Sequence, residues 1–278
     1  MGYLEAIVLG IVQGLTEFLP ISSSAHLSIV GQVFGDADPG AAFTAISQLG
    51  TETAVLVFFW RDIVRIIRSW ALSLVGRVPR DDPDARMGWL VIIGSVPIGV
   101  LGYTLQDWIE TDLRNLWLTA TMLLVFALVI LAADRYAARR PPPAKSLREL
   151  SWRDGVLYGL AQSLALVPGV SRSGGTIAAG LFMGYDRASA ARYSFLLAIP
   201  AVLGSGFFQV AKIADDPVTP AWGPIWAATA IAFVVALAVI AWFMRFISRH
   251  TFTPFVAYRI VLALVLFGLL AAGVVDAR

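Results

Sequence analysis

Pro168-Gly169-Val170-Ser171-Arg172-Ser173-Gly174-Gly175 breaks the mostly apolar segment 155–185 near its middle. A second apolar segment, 3–34, is broken in the same way by Pro20-Ile21-Ser22-Ser23-Ser24. A bilayer-spanning helix needs about 20 predominantly apolar residues, and the halves of both segments fall short of that. Stretches 43–60, 87–105, 116–133, 223–244 and 255–274 meet the requirement, and 189–211 does so despite Pro200. The spans and the broken segments are different objects.

The loops set the direction of travel. Arg61, Arg65, Arg68, Arg77, Arg80 and Arg86 lie in 61–86, and Arg135, Arg139, Arg140, Lys145, Arg148 and Arg153 in 135–153. A third basic connection holds Arg245 and Arg249, with Arg259 nearby. The intervening loops carry Asp36 and Asp38; Asp107, Glu110 and Asp112; and Asp215 and Asp216. The positive-inside rule makes the basic loops cytoplasmic. Alternation of the spans then starts and ends 155–185 on the cytoplasmic face, so it is a re-entrant hairpin. Segment 3–34 becomes its counterpart from the exterior, and both termini lie outside.

Composition agrees. Of 278 residues 58% are hydrophobic and 14% charged, with a mean hydropathy of +0.75, against roughly 25% charged in soluble domains. Collagen, disorder, a disulfide scaffold and a nucleic-acid binder are excluded. The chain has no cysteine, which removes thiolate metal sites and thiol nucleophiles. No cleavable signal peptide is expected, because a basic n-region is missing and Glu5 and Glu17 interrupt the first apolar run.

The expected fold is thus an all-α polytopic membrane protein, with six transmembrane helices plus two re-entrant helical hairpins in an inverted-topology repeat. One integral membrane domain is divided into a first repeat, 1–150, and an inverted second, 151–278. Gly10-Ile11-Val12-Gln13 and Gly159-Leu160-Ala161-Gln162 open the broken segments alike, each nine residues from Gln to Ser (Ser22, Ser171). Sites in such architectures lie where the repeats meet. Irregular backbone at that depth must be buried in protein or line a cavity.

The tips carry the chemistry. Tip one places Gln13, Glu17, Ser22, Ser23, Ser24 and His26 close together, with Gln13 and Glu17 on one helical face. Serines and threonines in membrane helices commonly back-bond to carbonyls, but intramembrane Glu17 and His26 point to function. Tip two offers Ser171, Arg172, Ser173, Gly174 and Thr176 at the start of a short helix. An arginine at membrane depth costs about 2.5–3.5 kcal/mol on insertion scales and needs an anion. Helix-terminal amides, glycines, hydroxyls and a guanidinium suit a phosphate; a structural pair with Glu17 is the alternative. Glu52 either lines the cavity near Gln48 or hydrogen-bonds in protonated form between helices. His250, in a basic loop, reads as solvated.

Gln13-x-x-x-Glu17, Pro20-Ile21-Ser22-Ser23-Ser24-Ala25-His26 and Pro168-Gly169-Val170-Ser171-Arg172-Ser173-Gly174 resemble the two signature motifs of the bacitracin-resistance family of undecaprenyl-diphosphate phosphatases. The resemblance covers essentially the whole chain, including Phe59-Trp60-Arg61 and Ser194-Phe195-Leu196-Leu197-Ala198-Ile199-Pro200. It implies an enzyme of the bacterial inner (plasma) membrane that removes the terminal phosphate of the lipid carrier diphosphate. That recycles the carrier for peptidoglycan synthesis and gives bacitracin resistance. The family's activity depends on a divalent cation, Mg²⁺ or Ca²⁺. Its first motif position takes Glu or Gln, and Gln13 leaves one carboxylate fewer for the metal.

Phosphoanhydride hydrolysis needs charge neutralisation, a nucleophile and a proton acceptor. Arg172, with Ser171, Ser173, Gly174, Thr176 and Ser22, is expected to bind phosphate oxygens, and Glu17 with Gln13 to hold the cation. Ser23 matches the family's proposed nucleophile, with His26 to take its proton; a water activated by His26 or Glu17 remains open. The site is expected to face the exterior. Partners are the polyprenyl diphosphate and membrane lipid; the oligomeric state is open, a homodimer included. A polyprenyl-phosphate flippase, with or without hydrolysis, is the alternative function, since inverted repeats with midplane hairpins also build transporters.

Overall fold

The computed structural model describes residues 2–33, 40–214 and 221–277, and within these every regular element is helical. Asp36, Asp38, Asp215 and Asp216 lie outside the described residues. In chain order the α-helices are α1 (Tyr3–Thr16), α2 (Ser23–Val33), α3 (Gly40–Phe58), α4 (Trp60–Leu74), α5 (Pro83–Thr104) and α6 (Gln106–Thr111). They continue as α7 (Leu116–Ala138), α8 (Trp152–Ser163), α9 (Arg172–Met183), α10 (Arg187–Ala214), α11 (Trp222–Ile247) and α12 (Thr253–Ala271).

Five of them, α5, α7, α10, α11 and α12, are long and apolar enough to cross a membrane. The protein is a polytopic all-α membrane protein. The expected span 43–60 falls on α3, which is not one of these five; Phe43–Phe58 is a shorter apolar helix. α10 runs through Pro200 without a break. Helix starts follow local chemistry. Asp82 accepts from the Asp84 and Ala85 amides ahead of Pro83, and Asn115 from the Trp117 and Leu118 amides.

The stretch 61–86 is not simply a loop, because Trp60–Leu74 forms α4. Its residues recur with helical spacing: Ile66 and Ser73 are buried, while Val64, Ile67 and Leu74 stay exposed. The buried face lies on α5, where the Trp70 side chain meets Gly88. Gly76, at φ +72°, ends the helix, with the Arg77 amide bonded to the Leu72 carbonyl.

Helices of the two halves pack across one another. The first limb of each broken segment lies on a helix of the other half, α1 on α11 and α8 on α5. Both approaches require glycine. A Cβ on Gly10 would stand 2.5 Å from the Ala228 carbonyl oxygen, and one on Gly159 2.6 Å from that of Gly94. α3 packs on α11 and α10, and α7 on α12 and α9. The central core contains Phe18, Phe59, Phe195, Phe243 and Tyr158, with Phe18 edge-on to Phe195 at 5.2 Å. At the basic end, Asp134 accepts from Arg187 at 2.6 Å, and Asp62 pairs with Arg192 and Arg65. These pairs tie α4, α7 and α10 together.

Candidate active site

The two breaks fold alike and meet. Ser22 and Ser171 are the only non-glycine residues with positive φ among the described residues, both at +71°. That left-handed turn is costly for a side chain with a Cβ, and each time it reverses the chain directly into a helix, α2 or α9. The side chains repeat as well: Ser22 Oγ lies 3.1 Å from Ser24 Oγ, and Ser171 Oγ 3.2 Å from Ser173 Oγ. Ser23 and Arg172 are consequently the first residues of two helices whose N-termini converge. The uncommitted amides of a first helical turn carry partial positive charge.

Contacts across the tips are direct. Arg172 Nη2 donates to Glu17 Oε1 at 2.5 Å. Glu17 Oε2 accepts from Ser23 Oγ at 2.7 Å and from Gln13 Nε2 at 2.8 Å. Glu17 is 7% exposed and Gln13 fully buried, and Gln13 Oε1 has no partner. Ser173 Oγ crosses to the Leu19 carbonyl at 3.1 Å.

These groups floor a cavity of about 550 Å³ lined by Glu17, Ser22, Ser23, Ser24, Ser171 and Arg172. Its walls come from α5 (Ser95 to Tyr103) and the second half of α10 (Pro200 to Gln209), and its rim includes Gln106, Ile109 and Arg114. It therefore extends from the tips toward the end of the bundle that carries α6, away from the basic loops.

Not every expected group faces this space. His26 Nδ1 bonds the Ser22 carbonyl and Nε2 the Tyr258 hydroxyl, each at 2.7 Å, with the two rings stacked. The proton acceptor in contact with Ser23 is Glu17, because the helical turn carries His26 toward α12. Thr176 is buried against Ser194 Oγ at 2.5 Å and the Arg172 carbonyl. The Gly174 amide is capped by Ser171 Oγ at 3.2 Å. Ser173, Gly174 and Thr176 thus build the turn, leaving Ser22, Ser171 and Arg172 on the cavity. Glu52 is fully buried and off the cavity wall, although Gln48 lines it.

Arg259 is the residue sequence reasoning misplaced. Grouped with the cytoplasmic charges, it is instead fully buried. It donates to the carbonyls of Pro20 (3.1 Å) in tip one, Gly169 (2.7 Å) and Val170 (3.3 Å) in tip two, and Met122 and Leu123 in α7. Only a planar fork with five donors can bridge both breaks at once. Its signal was present, since Arg259 falls inside the apolar run 255–274. Arg259→Met should strand several buried carbonyls at about 1–3 kcal/mol each. A marked fall in melting temperature of the purified protein is expected, and an unchanged value would refute this role.

Glu17 is the carboxylate at the cavity floor that a hard divalent cation such as Mg²⁺ or Ca²⁺ would need. Its two oxygens are here engaged by Arg172, Ser23 and Gln13 Nε2. No group of three or more Asp, Glu or His able to hold a metal occurs among the described residues.

Comparison with known proteins converges on one family. The family model described as "Bacitracin resistance protein BacA" matches residues 6–265. A protein of Micrococcus luteus named undecaprenyl-diphosphatase is 62% identical over 281 residues, covering 100% of both chains. Proteins of the same name from Renibacterium salmoninarum (59% identical, 100% of this chain and 99% of that one) and Kineococcus radiotolerans (60%, 100% and 97%) are similarly close. With a family model matched over most of the chain and relatives about 60% identical along its length, the chain belongs to the bacitracin resistance protein BacA family.

Proposed function

We propose that this chain hydrolyses undecaprenyl diphosphate to undecaprenyl phosphate and inorganic phosphate, returning the carrier for cell-wall synthesis and conferring bacitracin resistance. The observation that carries the reading is the chain of contacts Ser23–Glu17–Arg172 across the two tips at the cavity floor. It joins a nucleophile, a proton acceptor and a phosphate-binding fork within hydrogen-bond reach, as group transfer requires.

Glu17 Oε2 takes the Ser23 proton as Oγ bonds to the terminal phosphorus and the bond to the bridging oxygen breaks. The lipid monophosphate departs with that oxygen and receives the proton from Glu17. A water, deprotonated by the same carboxylate, then cleaves the Ser23–phosphorus bond, and Glu17 returns that proton to Ser23 Oγ as phosphate leaves. Arg172 spends one donor on Glu17 and keeps the rest of its fork for the phosphoryl oxygens that gain charge. Mg²⁺ or Ca²⁺, held by Glu17 and Gln13, would neutralise the diphosphate when bound. Ile98, Leu166, Val202 and Phe208 give the cavity an apolar lining suited to the first isoprene units, while the remaining tail stays in the lipid. Purified, detergent-solubilised protein should release phosphate from undecaprenyl diphosphate; a pure flippase would release none.

The same reading gives the chain six spans and two re-entrant hairpins in inverted repeats, 1–150 and 151–278, in the bacterial plasma membrane. The paired left-handed serines and paired glycine crossings support it, as does the division of loop charge. The cavity then opens outward. An impermeant diphosphate analogue should inhibit from the exterior of oriented vesicles, and inhibition only from the cytoplasmic side would reverse the orientation. Because the chain has no cysteine, single replacements label without background. Glu110→Cys should react with an impermeant maleimide on intact cells, and Arg80→Cys only after permeabilisation. The opposite pattern would overturn the topology.

A further inference from the structure

Beside the main cavity lies a smaller one of about 70 Å³, several times the space a single water needs. Its character is different. The main cavity has an apolar lining above the Glu17 carboxylate, whereas this side pocket is lined chiefly by hydroxyl, amide and guanidinium side chains and, among the described residues, by no Asp or Glu. Ser24, Ser28 and Gln32 recur every four residues and so share one face of α2. Arg114 and Asn115 close the pocket from the connection into α7. Asn115 Oδ1 accepts from the Trp117 and Leu118 amides, which leaves its NH₂ group as a donor. The outer wall is held in place: Gln32 Nε2 donates to the Asp276 carbonyl at 3.0 Å, and the Leu116 amide to the Ala277 carbonyl at 2.9 Å.

The two spaces share Ser24, Thr44 and Arg114, and Ser24 follows Ser23 directly in the chain. Hydrolysis in the main cavity makes two products of opposite character. The lipid monophosphate is tethered by its tail to the bilayer and to the apolar lining. Inorganic phosphate is small, multiply charged and insoluble in hydrocarbon, so it needs a polar way out. A pocket with guanidinium, amide and hydroxyl donors and no carboxylate has the polarity of an oxyanion site. It also lies at the α6 end of the bundle, since Arg114 and Asn115 follow that helix, and so leads away from the basic loops.

We propose that this side pocket receives the inorganic phosphate freed at Ser23, with Arg114 and Asn115 as its anion-binding residues. This deepens the hydrolase reading and rests on it. Asn115→Asp is the variant to test, because Asn115 lines the side pocket and not the main cavity. Asp caps a helix as well as Asn does, and it sets a like charge against the ion. Added inorganic phosphate should inhibit formation of the lipid monophosphate by the purified full chain. Asn115→Asp should be about tenfold or more less sensitive to it, with KM for the lipid diphosphate and inhibition by added undecaprenyl phosphate near parental. Parental sensitivity in Asn115→Asp, or a parent that phosphate does not inhibit, overturns the proposal. Should Asn115→Asp fail to fold, Arg114→Gln takes its place. It should weaken inhibition by inorganic phosphate more than inhibition by undecaprenyl phosphate; an equal loss for both would put the anion in the main cavity and overturn the proposal. Melting temperature on the same preparations separates the two readings, since inorganic phosphate should raise it in the parent and less so in Asn115→Asp. A parent that hydrolyses but gains no stability from phosphate removes the side-pocket site alone. One that forms no lipid monophosphate, yet gains a stability that Asn115→Asp loses, removes the hydrolase and keeps the anion site.

Discussion

Arg172→Lys is expected to insert and fold normally while losing about 10²–10³ in kcat, the usual cost of removing a donor aimed at developing negative charge. Arg172→Ala should lose at least as much. The guanidinium fork can hold Glu17 and phosphate oxygens together, whereas an ammonium offers one compact charge. The 2.5 Å contact between Arg172 and Glu17 sharpens the test, because a lysine could preserve an ion pair across the tips without clamping a phosphate. If the pair only joins the tips, turnover of the Lys variant stays near parental and any damage appears in the melting temperature. Measuring both on one preparation decides the matter.

Glu17→Gln and Ser23→Ala should each abolish most activity, by about 10²–10⁴, the range for removing a general base. The double variant should be little worse than either single one, since groups acting as a unit are not additive. Ser22→Ala and Ser24→Ala should cost less, because those hydroxyls bond one another across the turn. His26→Ala should also lower activity, through the tip backbone that His26 holds, and Tyr258→Phe should reproduce part of that effect. A Ser23→Ala protein with near-parental turnover would exclude the serine as nucleophile and leave Glu17 to activate water directly. Strict additivity of the Glu17 and Ser23 effects would separate the two residues mechanistically.

Much of this was legible in the chain itself. Apolar run length announced the membrane helices, because the cost of placing polar backbone and charge in hydrocarbon is paid locally, residue by residue. The breaks at Pro20 and Pro168 and the ionisable residues beside them located the candidate site for the same reason. Helix α4 was missed since its exposed arginines dominate composition while only a sparse set, including Ile66 and Ser73, faces α5. What the sequence could not rank was partnership. Glu17, Ser23, His26 and Arg172 all read as one cluster, yet whether a hydroxyl three residues from a histidine faces that histidine depends on the turn that starts the helix. The left-handed Ser22 sends Ser23 to Glu17 and His26 to Tyr258. Arg259 belongs to the same class: local sequence gives its burial, but only the close packing of α12 against both breaks brings together carbonyls from residues 20, 122, 123, 169 and 170 for one side chain to hold. The sequence determined which long segments are apolar enough to cross a membrane and where the two broken segments are interrupted. Tertiary packing decided which of the polar groups touch, because hydrogen bonds depend on distances between segments that chain order does not encode.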